Sequence, residues 1–182
     1  QYAPHVINTP LSFLIKSALN SNIFGEPGWM GTGWRAGRDL KRNDIGGKTG
    51  TTNSSKDAWF SGYGPGVVTS VWIGFDDSRA LGRSTVSGAI PDQISGYEGG
   101  AKSAQPAWDD YMKSALEGVP VQPLTPPEGV VTVTIDRATG KLANGGGNTR
   151  QEYFIDGTQP VEYSVHDVGT TIMDNGESHE LF

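Results

Sequence analysis

The stretch DIGGKTGTTNSSKDAWFSGYGPGVVTSVWIGF, residues 44–75, decides the fold. It holds three runs rich in threonine, valine, tryptophan, phenylalanine and isoleucine, which are residue types enriched in β-strands. The runs cover residues 45–52, 58–63 and 67–75. NSSKD joins the first two runs and GPG joins the last two, and both joints have the composition of tight turns. We therefore predict an antiparallel meander of three strands.

A helix is predicted on either side of this meander. Upstream, NTPLSFLIKSALNSNIFG has a capping residue at Thr9, proline at the first helical position, and one apolar face made by Leu11, Leu14, Ile15, Ala18 and Leu19. Downstream, AKSAQPAWDDYMKSALEG is predicted to be a helix that Gly118 and Pro120 stop, with one face made by Trp108, Tyr111, Met112, Ala115 and Val119. Between the first helix and the meander, GEPGWMGTGWRAGRDLKRND is predicted to be an irregular loop that Trp29 and Trp34 pack down.

The C-terminal part of the chain has a different composition. Residues 120–127 contain four prolines and predict a stiff, extended linker. VVTVTIDRATGKLAN follows, with apolar and polar residues in alternation and a turn at ATG, which predicts a half-buried strand and a hairpin. We divide the chain into residues 1–118, which hold the predicted helices and meander, and residues 119–182, the proline-rich linker and a strand-bearing tail.

Bulk composition narrows the classes of function. The net charge of -6 argues against nucleic acid as a partner, because affinity for phosphates needs an excess of Lys and Arg. There is no cysteine, so a disulfide framework and a thiolate metal site are both excluded. The three histidines, His5, His166 and His179, lack the spacing of metal ligands, and we expect no metal site. The chain starts at Gln1 without an initiator methionine, so we expect it to be a piece of a longer protein.

The glycines around Lys48 suggest that an anion comes close to the backbone while a positive charge holds it. GGKTGTT contains GKT, but a phosphate-binding loop would need glycine where Arg42 stands. GTGWRA, residues 31–36, imitates a dinucleotide motif, but no strand is predicted before it and no helix after it. A carboxylate fits better, since an extended peptide can add to the edge of a strand and meet a lysine and hydroxyls there. Because side chains alternate along a strand, we expect Thr49 and Thr51 to approach such a ligand from one side and Lys48 from the other.

Six motifs in order carry a wider resemblance: GTG at 31–33, KTGTT at 48–52, DAWFSGY, VWIGFDD, GGAKSAQPAWDDYM and GVVTVTIDRATGKLA. KTG is the third motif of penicillin-binding proteins and serine β-lactamases. Over essentially its whole length the chain resembles the C-terminal part of the transpeptidase domain of class A penicillin-binding proteins of Gram-negative bacteria. The resemblance implies an α+β, penicillin-binding/serine β-lactamase-like transpeptidase fold, with three of the family's five antiparallel strands here and helices packed on them. Residues 1–118 would be the C-terminal half of that domain.

The resemblance implies a peptidoglycan D,D-transpeptidase in which a serine attacks the D-Ala-D-Ala bond of a stem peptide, and β-lactams inhibit it. Lys48 would hold the proton network and the substrate carboxylate, and the backbone N–H of Thr51 would donate to the oxyanion. Thr49, Thr51 and Thr52 would bind substrate, and Gly50 would keep the wall flat. No cofactor is implied. No serine has a lysine three positions on and no SxN occurs, so we expect the nucleophile to precede Gln1 and the chain alone to be inactive.

The partners implied are the peptidoglycan stem peptide, β-lactams, the N-terminal half of the same transpeptidase domain and an outer-membrane lipoprotein activator. The implied location is the periplasmic face of the bacterial inner membrane, with the anchor and a glycosyltransferase outside this chain. Two alternatives remain open, a serine β-lactamase-like hydrolase and a non-catalytic scaffold fragment. For Lys48 itself, the alternative is a surface lysine that protects an edge strand against aggregation.

Overall fold

The structure is a computed structural model, and it describes residue 4 and residues 6–81 and 98–165. It has two compact units, residues 1–127 and 128–182. The elements of the first unit are helix α1 (Thr9–Phe24), helix α2 (Trp34–Leu40), strands β1 (Gly46–Thr51), β2 (Asp57–Gly64) and β3 (Val67–Gly74), a π-helical turn (Gly100–Ala104) and helix α3 (Gln105–Ala115). Strands β4 (Val130–Asp136) and β5 (Thr149–Ile155) form the second unit. No helix in these residues is long and apolar enough to cross a membrane.

The predicted meander is confirmed. The sheet of the first unit has the order β1-β2-β3, and both pairs are antiparallel. Gly64 pairs with Val67, so Pro65 and Gly66 alone form the connection between β2 and β3. Gly66 has a φ of 73°, a value that glycine adopts without strain, which explains why GPG is found here. The α+β fold class is confirmed as well.

The core of the first unit lies between β2 and helix α3. Trp108 and Met112 are fully buried, as predicted, and the Trp108 ring lies 4.9 Å from the ring of Phe60. Trp108 Nε1 also donates to Thr69 O over 3.1 Å. The prediction of the buried face was wrong for Tyr111, which is 53% exposed, and for Ala115, which is also exposed. Their place is taken by Leu116, which is 4% exposed and follows the last turn of the helix.

Helix α1 forms where it was predicted but differs in its cap and its buried face. The cap is Asn8 rather than Thr9, and its Oδ1 accepts a hydrogen bond from Leu11 N over 2.9 Å. The buried residues are Phe13, Asn22 and Ile23, not the predicted apolar row. Leu11 is 39% exposed, and the α1 residue that joins the main core cluster is Ile23, in the last turn of the helix.

The predicted irregular loop before β1 contains helix α2, so that part of the prediction was wrong. Trp29 and Trp34, expected to pack the loop down, are 51% and 36% exposed. A Cβ on Gly37 would lie 2.8 Å from the Phe24 ring, so this glycine lets α2 approach α1 closely. A helix therefore begins inside GTGWRA, at Trp34, although no strand precedes it among the described residues.

The second unit confirms the predicted strand and turn after the prolines. Asp136 ends β4, and its Oδ1 accepts hydrogen bonds from the N–H groups of Ala138 and Thr139, which fixes the ATG turn. The main partner of β4 is β5, an antiparallel strand that was not predicted. KLAN forms no paired strand with β4: Leu142 makes a single bridge to Ile135 and another to Tyr163.

Candidate active site at the open edge of strand β1

Strand β1 is the outer strand of its sheet, so one of its edges has no strand partner among the described residues. Alternate backbone groups of such a strand point away from the sheet. Side chains cover the outward carbonyls of the first half of this edge. Asn20 Nδ2 donates to Ile45 O over 2.8 Å, and Asn22 Nδ2 donates to Gly47 O over 2.7 Å. Helix α1 therefore closes the edge up to Gly47, and in the part of the chain that the structure describes the edge is open from Lys48 onward.

Lys48 and Thr49 leave opposite faces of β1, as the alternation predicts, since Lys48 lies opposite Ser61 and Thr49 opposite the buried Phe60. The expectation that they approach a ligand from different sides was wrong. Lys48 Nζ lies 3.0 Å from Thr49 O and 3.2 Å from Thr49 Oγ1, because the lysine stem is long enough to fold around the open edge. An ammonium group and a hydroxyl are thus presented together.

Two residues that the sequence did not assign to the site complete this cluster. Thr32 Oγ1 lies 3.1 Å from Thr49 Oγ1 and donates to Asn22 Oδ1 over 3.1 Å. Thr32 is exposed, whereas Asn22 is 8% exposed. The GTG triplet was the available signal for Thr32, since glycines on both sides of a threonine often allow a close backbone approach.

Thr51 and Thr52 have different surroundings. Thr52 N donates to Asp57 O across the sheet over 3.1 Å, so the N–H of the preceding Thr51 points toward the open edge. Thr51 Oγ1 accepts a hydrogen bond from Gly100 N over 3.0 Å. The Thr52 hydroxyl is held in the turn by Asp57, and the structure does not bring it to Lys48 and Thr49.

The glycines around Lys48 are explained by the protein's own side chains. A Cβ on Gly46 would lie 2.4 Å from the Tyr63 ring, and one on Gly47 would lie 2.8 Å from the Phe60 ring. Gly50 is less crowded, with Trp59 Cβ at 3.1 Å. A bound anion is therefore not needed to explain why glycine stands at positions 46 and 47.

A buried ion pair precedes β1. Arg42 Nε donates to Asp44 Oδ1 over 2.7 Å, and the side chains are 9% and 2% exposed. Burial tends to raise the pKa of Asp44, but hydrogen bonds from Arg42 and from Gln122 N–H outweigh it and hold that pKa below its usual value. Arg42 also donates to the carbonyls of Leu116, Val119 and Pro120. The pair thus ties the residues after α3 to the start of β1.

A second buried carboxyl group lies on α3, away from the open edge. Burial and the charge of nearby Asp39 raise the pKa of Asp109 to about 7. Asp109 Oδ1 and Gln105 Oε1 are buried acceptors that find no hydrogen-bond donor among the described residues. Among the described residues no cluster of three or more His, Cys, Asp or Glu could hold a metal ion.

Comparisons with known proteins agree with the resemblance drawn from the sequence. The family profile named Penicillin-binding protein 1A, C-terminal domain, matches residues 126–169. Penicillin-binding protein 1A of Escherichia coli strain K12 is 81% identical over 183 residues, which cover 100% of this chain and 21% of that protein. Its counterpart from Vibrio cholerae is 49% identical over 189 residues, which cover 100% of this chain and 23% of that protein. The crystal structure of penicillin-binding protein 1A from Haemophilus influenzae matches with a TM-score of 0.77 and 49% identity, over 91% of this chain and 23% of that one. The chain thus spans about a fifth of the length of these relatives.

Proposed function

Because this chain belongs to the penicillin-binding protein 1A family, we propose that it supplies one wall of the active site of a peptidoglycan D,D-transpeptidase. Lys48, Thr49 and Thr51 carry that wall. The observation that supports this proposal is the open edge of β1. There the Lys48 ammonium lies 3.2 Å from the Thr49 hydroxyl, and the Thr51 N–H points outward from the same edge. A cation, a hydroxyl and an N–H on one edge suit a substrate that ends in a carboxylate and has a reacting carbonyl nearby.

The proposed reaction proceeds through an ester. A serine from outside this chain attacks the carbonyl carbon between two D-alanines, and the terminal D-alanine leaves as its amine. An amine of a second stem peptide then attacks the ester, forms the cross-link and releases the serine. The Thr51 N–H would donate to the oxyanion in both steps, and loss of a donor of this kind costs about 10²–10³ in rate. Lys48 and Thr49 would hold the terminal carboxylate, and Gly50, between them and Thr51, would keep this wall of the site flat.

The same proposal gives this chain its surroundings. It would work with the N-terminal half of the transpeptidase domain, in a bifunctional protein that carries a glycosyltransferase elsewhere. The location would be the periplasmic face of the bacterial inner membrane, with the anchor outside this chain and an outer-membrane lipoprotein activator as a partner. β-Lactams would acylate the same serine as the stem peptide does. Thr52 stays a weaker candidate for substrate binding, since its hydroxyl already pairs with Asp57.

A chimera tests the proposal. The 183-residue stretch of the E. coli relative that matches this chain is replaced by this chain, and the chimera is labelled with a fluorescent penicillin. We expect a covalent band of long lifetime, and no band from the isolated 182-residue chain, because its sequence has no serine with a lysine three positions on. A chimera without a band would refute the proposal and favour a scaffold. A band that disappears within seconds would favour a hydrolase instead.

A further inference from the structure

The hydrogen bonds around Thr49 run in one direction that the geometry determines. Asn22 Nδ2 must face Gly47 O, 2.7 Å away, because the flipped amide would set two acceptors against each other. Asn22 Oδ1 therefore faces Thr32, and the single proton of Thr32 is given to it. Thr32 then has only lone pairs to offer Thr49 over their 3.1 Å contact, so the Thr49 hydroxyl is the donor.

Lys48 lies at the other end of this series of hydrogen bonds. Its ammonium has only protons to give, and it donates to Thr49 Oγ1 over 3.2 Å. The order is therefore Lys48 to Thr49 to Thr32 to Asn22, and it starts at the open edge and ends at a buried amide. In this arrangement the Thr49 oxygen faces Lys48 and its methyl group is turned away.

Thr32 is held rigidly enough to impose this arrangement. Gly31 lies directly against α1, since a Cβ there would be 1.9 Å from Asn22 O. Gly33 N donates to the same carbonyl over 3.1 Å, and Gly33 O accepts from Gln105 Nε2 on α3 over 3.0 Å. The residues on either side of Thr32 are thus fixed to two helices, and a site held by such supports keeps its geometry better than one on a free loop.

We propose that Thr32 is a positioning residue for the carboxylate site: together with Asn22 it fixes the Thr49 side chain so that the Thr49 oxygen accepts from Lys48, and this holds in place the ammonium that would meet the ligand carboxylate. This inference rests on the proposed function, and it assigns to the GTG triplet a role in binding the acidic end of the ligand. Thr32 itself does not touch the reacting carbonyl. Without the Thr32 oxygen, the Thr49 hydroxyl loses its acceptor, and the Thr49 side chain can rotate its methyl group toward Lys48.

The test compares two forms of one penicillin, the free acid and its methyl ester, on the chimera described above. Thr32→Val keeps the shape and removes the oxygen. We expect it to lower the acylation efficiency for the acid about 3- to 10-fold, as for one lost hydrogen bond, and to change that for the ester less than about twofold. Thr32→Ser restores the oxygen and should return the ratio of acid to ester to its original value.

Thr69→Val is the matched control, because Thr69 is a half-buried threonine of β3 whose hydroxyl contacts only the Met112 sulfur at 3.5 Å in the described structure. It should leave the ratio of acid to ester unchanged. If Thr32→Val lowers acylation by acid and ester equally, or by neither, Thr32 does not position the carboxylate site and the inference is overturned while the proposed function stands. If the chimera with Thr32 intact is not labelled at all, the proposed function fails and takes this inference with it.

Discussion

Replacing Arg42 with methionine tests how the end of α3 is joined to the start of β1. Methionine keeps much of the length of arginine but removes every donor. Arg42 donates twice to Asp44, at 2.7 and 2.8 Å, and three times to backbone carbonyls of residues 116, 119 and 120, at 3.3, 3.0 and 3.3 Å. After the change, Asp44 would keep its hydrogen bond from Gln122 N, at 2.8 Å, but no opposite charge beside it.

The expected loss follows from burial. The Asp44 side chain is 2% exposed, so water cannot replace the guanidinium. Removing one partner of a buried ion pair typically lowers the free energy of unfolding by about 3–5 kcal/mol, because the remaining charge is left without compensation. The pKa of Asp44 is lowered in the folded state, so its stabilising contribution is present above its usual value of 3.8 and disappears as the pH falls below it. The difference between Arg42→Met and the unaltered chain should therefore shrink in acid.

Urea unfolding followed by tryptophan fluorescence measures this loss in the first unit alone, because all five tryptophans precede residue 128. Arg38→Met is the matched control, since Arg38 pairs with Asp39 in a setting where the side chains are 58% and 39% exposed. It should leave the urea midpoint almost unchanged. Equal effects of the two substitutions, or a loss for Arg42→Met under about 1 kcal/mol, would show that the buried pair does not hold this end of the domain together.

Two further substitutions in the first unit give measurable outcomes. Asp109→Asn should stabilise the unit by an amount that grows as the pH rises from 3.8 to about 7 and is constant above that. The reason is that the pKa of Asp109 is raised in the folded state, so ionising this carboxyl group costs stability that asparagine does not lose. A thermal unfolding series in which the stability difference between the variant and the unaltered chain does not grow across this pH range would contradict this. Gly31→Ala should lower the free energy of unfolding by about 1–3 kcal/mol, because its Cβ would stand 1.9 Å from Asn22 O and one backbone must move; an unchanged urea midpoint would contradict the close approach.

The parts of the fold that were predictable from the sequence depend on local chemistry. Strands β1 to β3 follow from their residue types, and the GPG connection follows from the positive φ of Gly66. The buried face of α1 was not predictable in the same way. Its apolar residues have helical spacing, but which residues are buried depends on distant partners, and those that are buried, Phe13, Asn22 and Ile23, lie outside the predicted row. Helix α2 was missed because glycine disfavours helices locally, while here Gly37 lets two helices meet.

The candidate site also has a part that was predictable from the sequence and a part that was not. Lys48, Thr49 and Thr51 belong to one short motif, and a motif is a local pattern that can be found by inspection. Asn22 lies 25 residues from the carbonyl that it binds on Gly47, and Thr32 lies 17 residues from Thr49. Contacts over such separations depend on how the helices dock, which no local pattern encodes. The GTG triplet indicated a close backbone approach, but not the element that is approached.

The covering of the β1 edge narrows the kind of ligand that fits it. An added strand needs carbonyls that accept its N–H groups as well as N–H groups that donate to it. The outward carbonyls of Ile45, Gly47 and Thr49 already accept from Asn20, Asn22 and Lys48. Among the described residues, the outward groups that remain without a partner are the N–H of Thr49 and the backbone of Thr51, so a ligand can pair with this edge over a short stretch only. A long β-strand is therefore a poor fit, whereas the end of a peptide, with a carboxylate beside Lys48 and a carbonyl at the Thr51 N–H, needs only a short stretch of this edge.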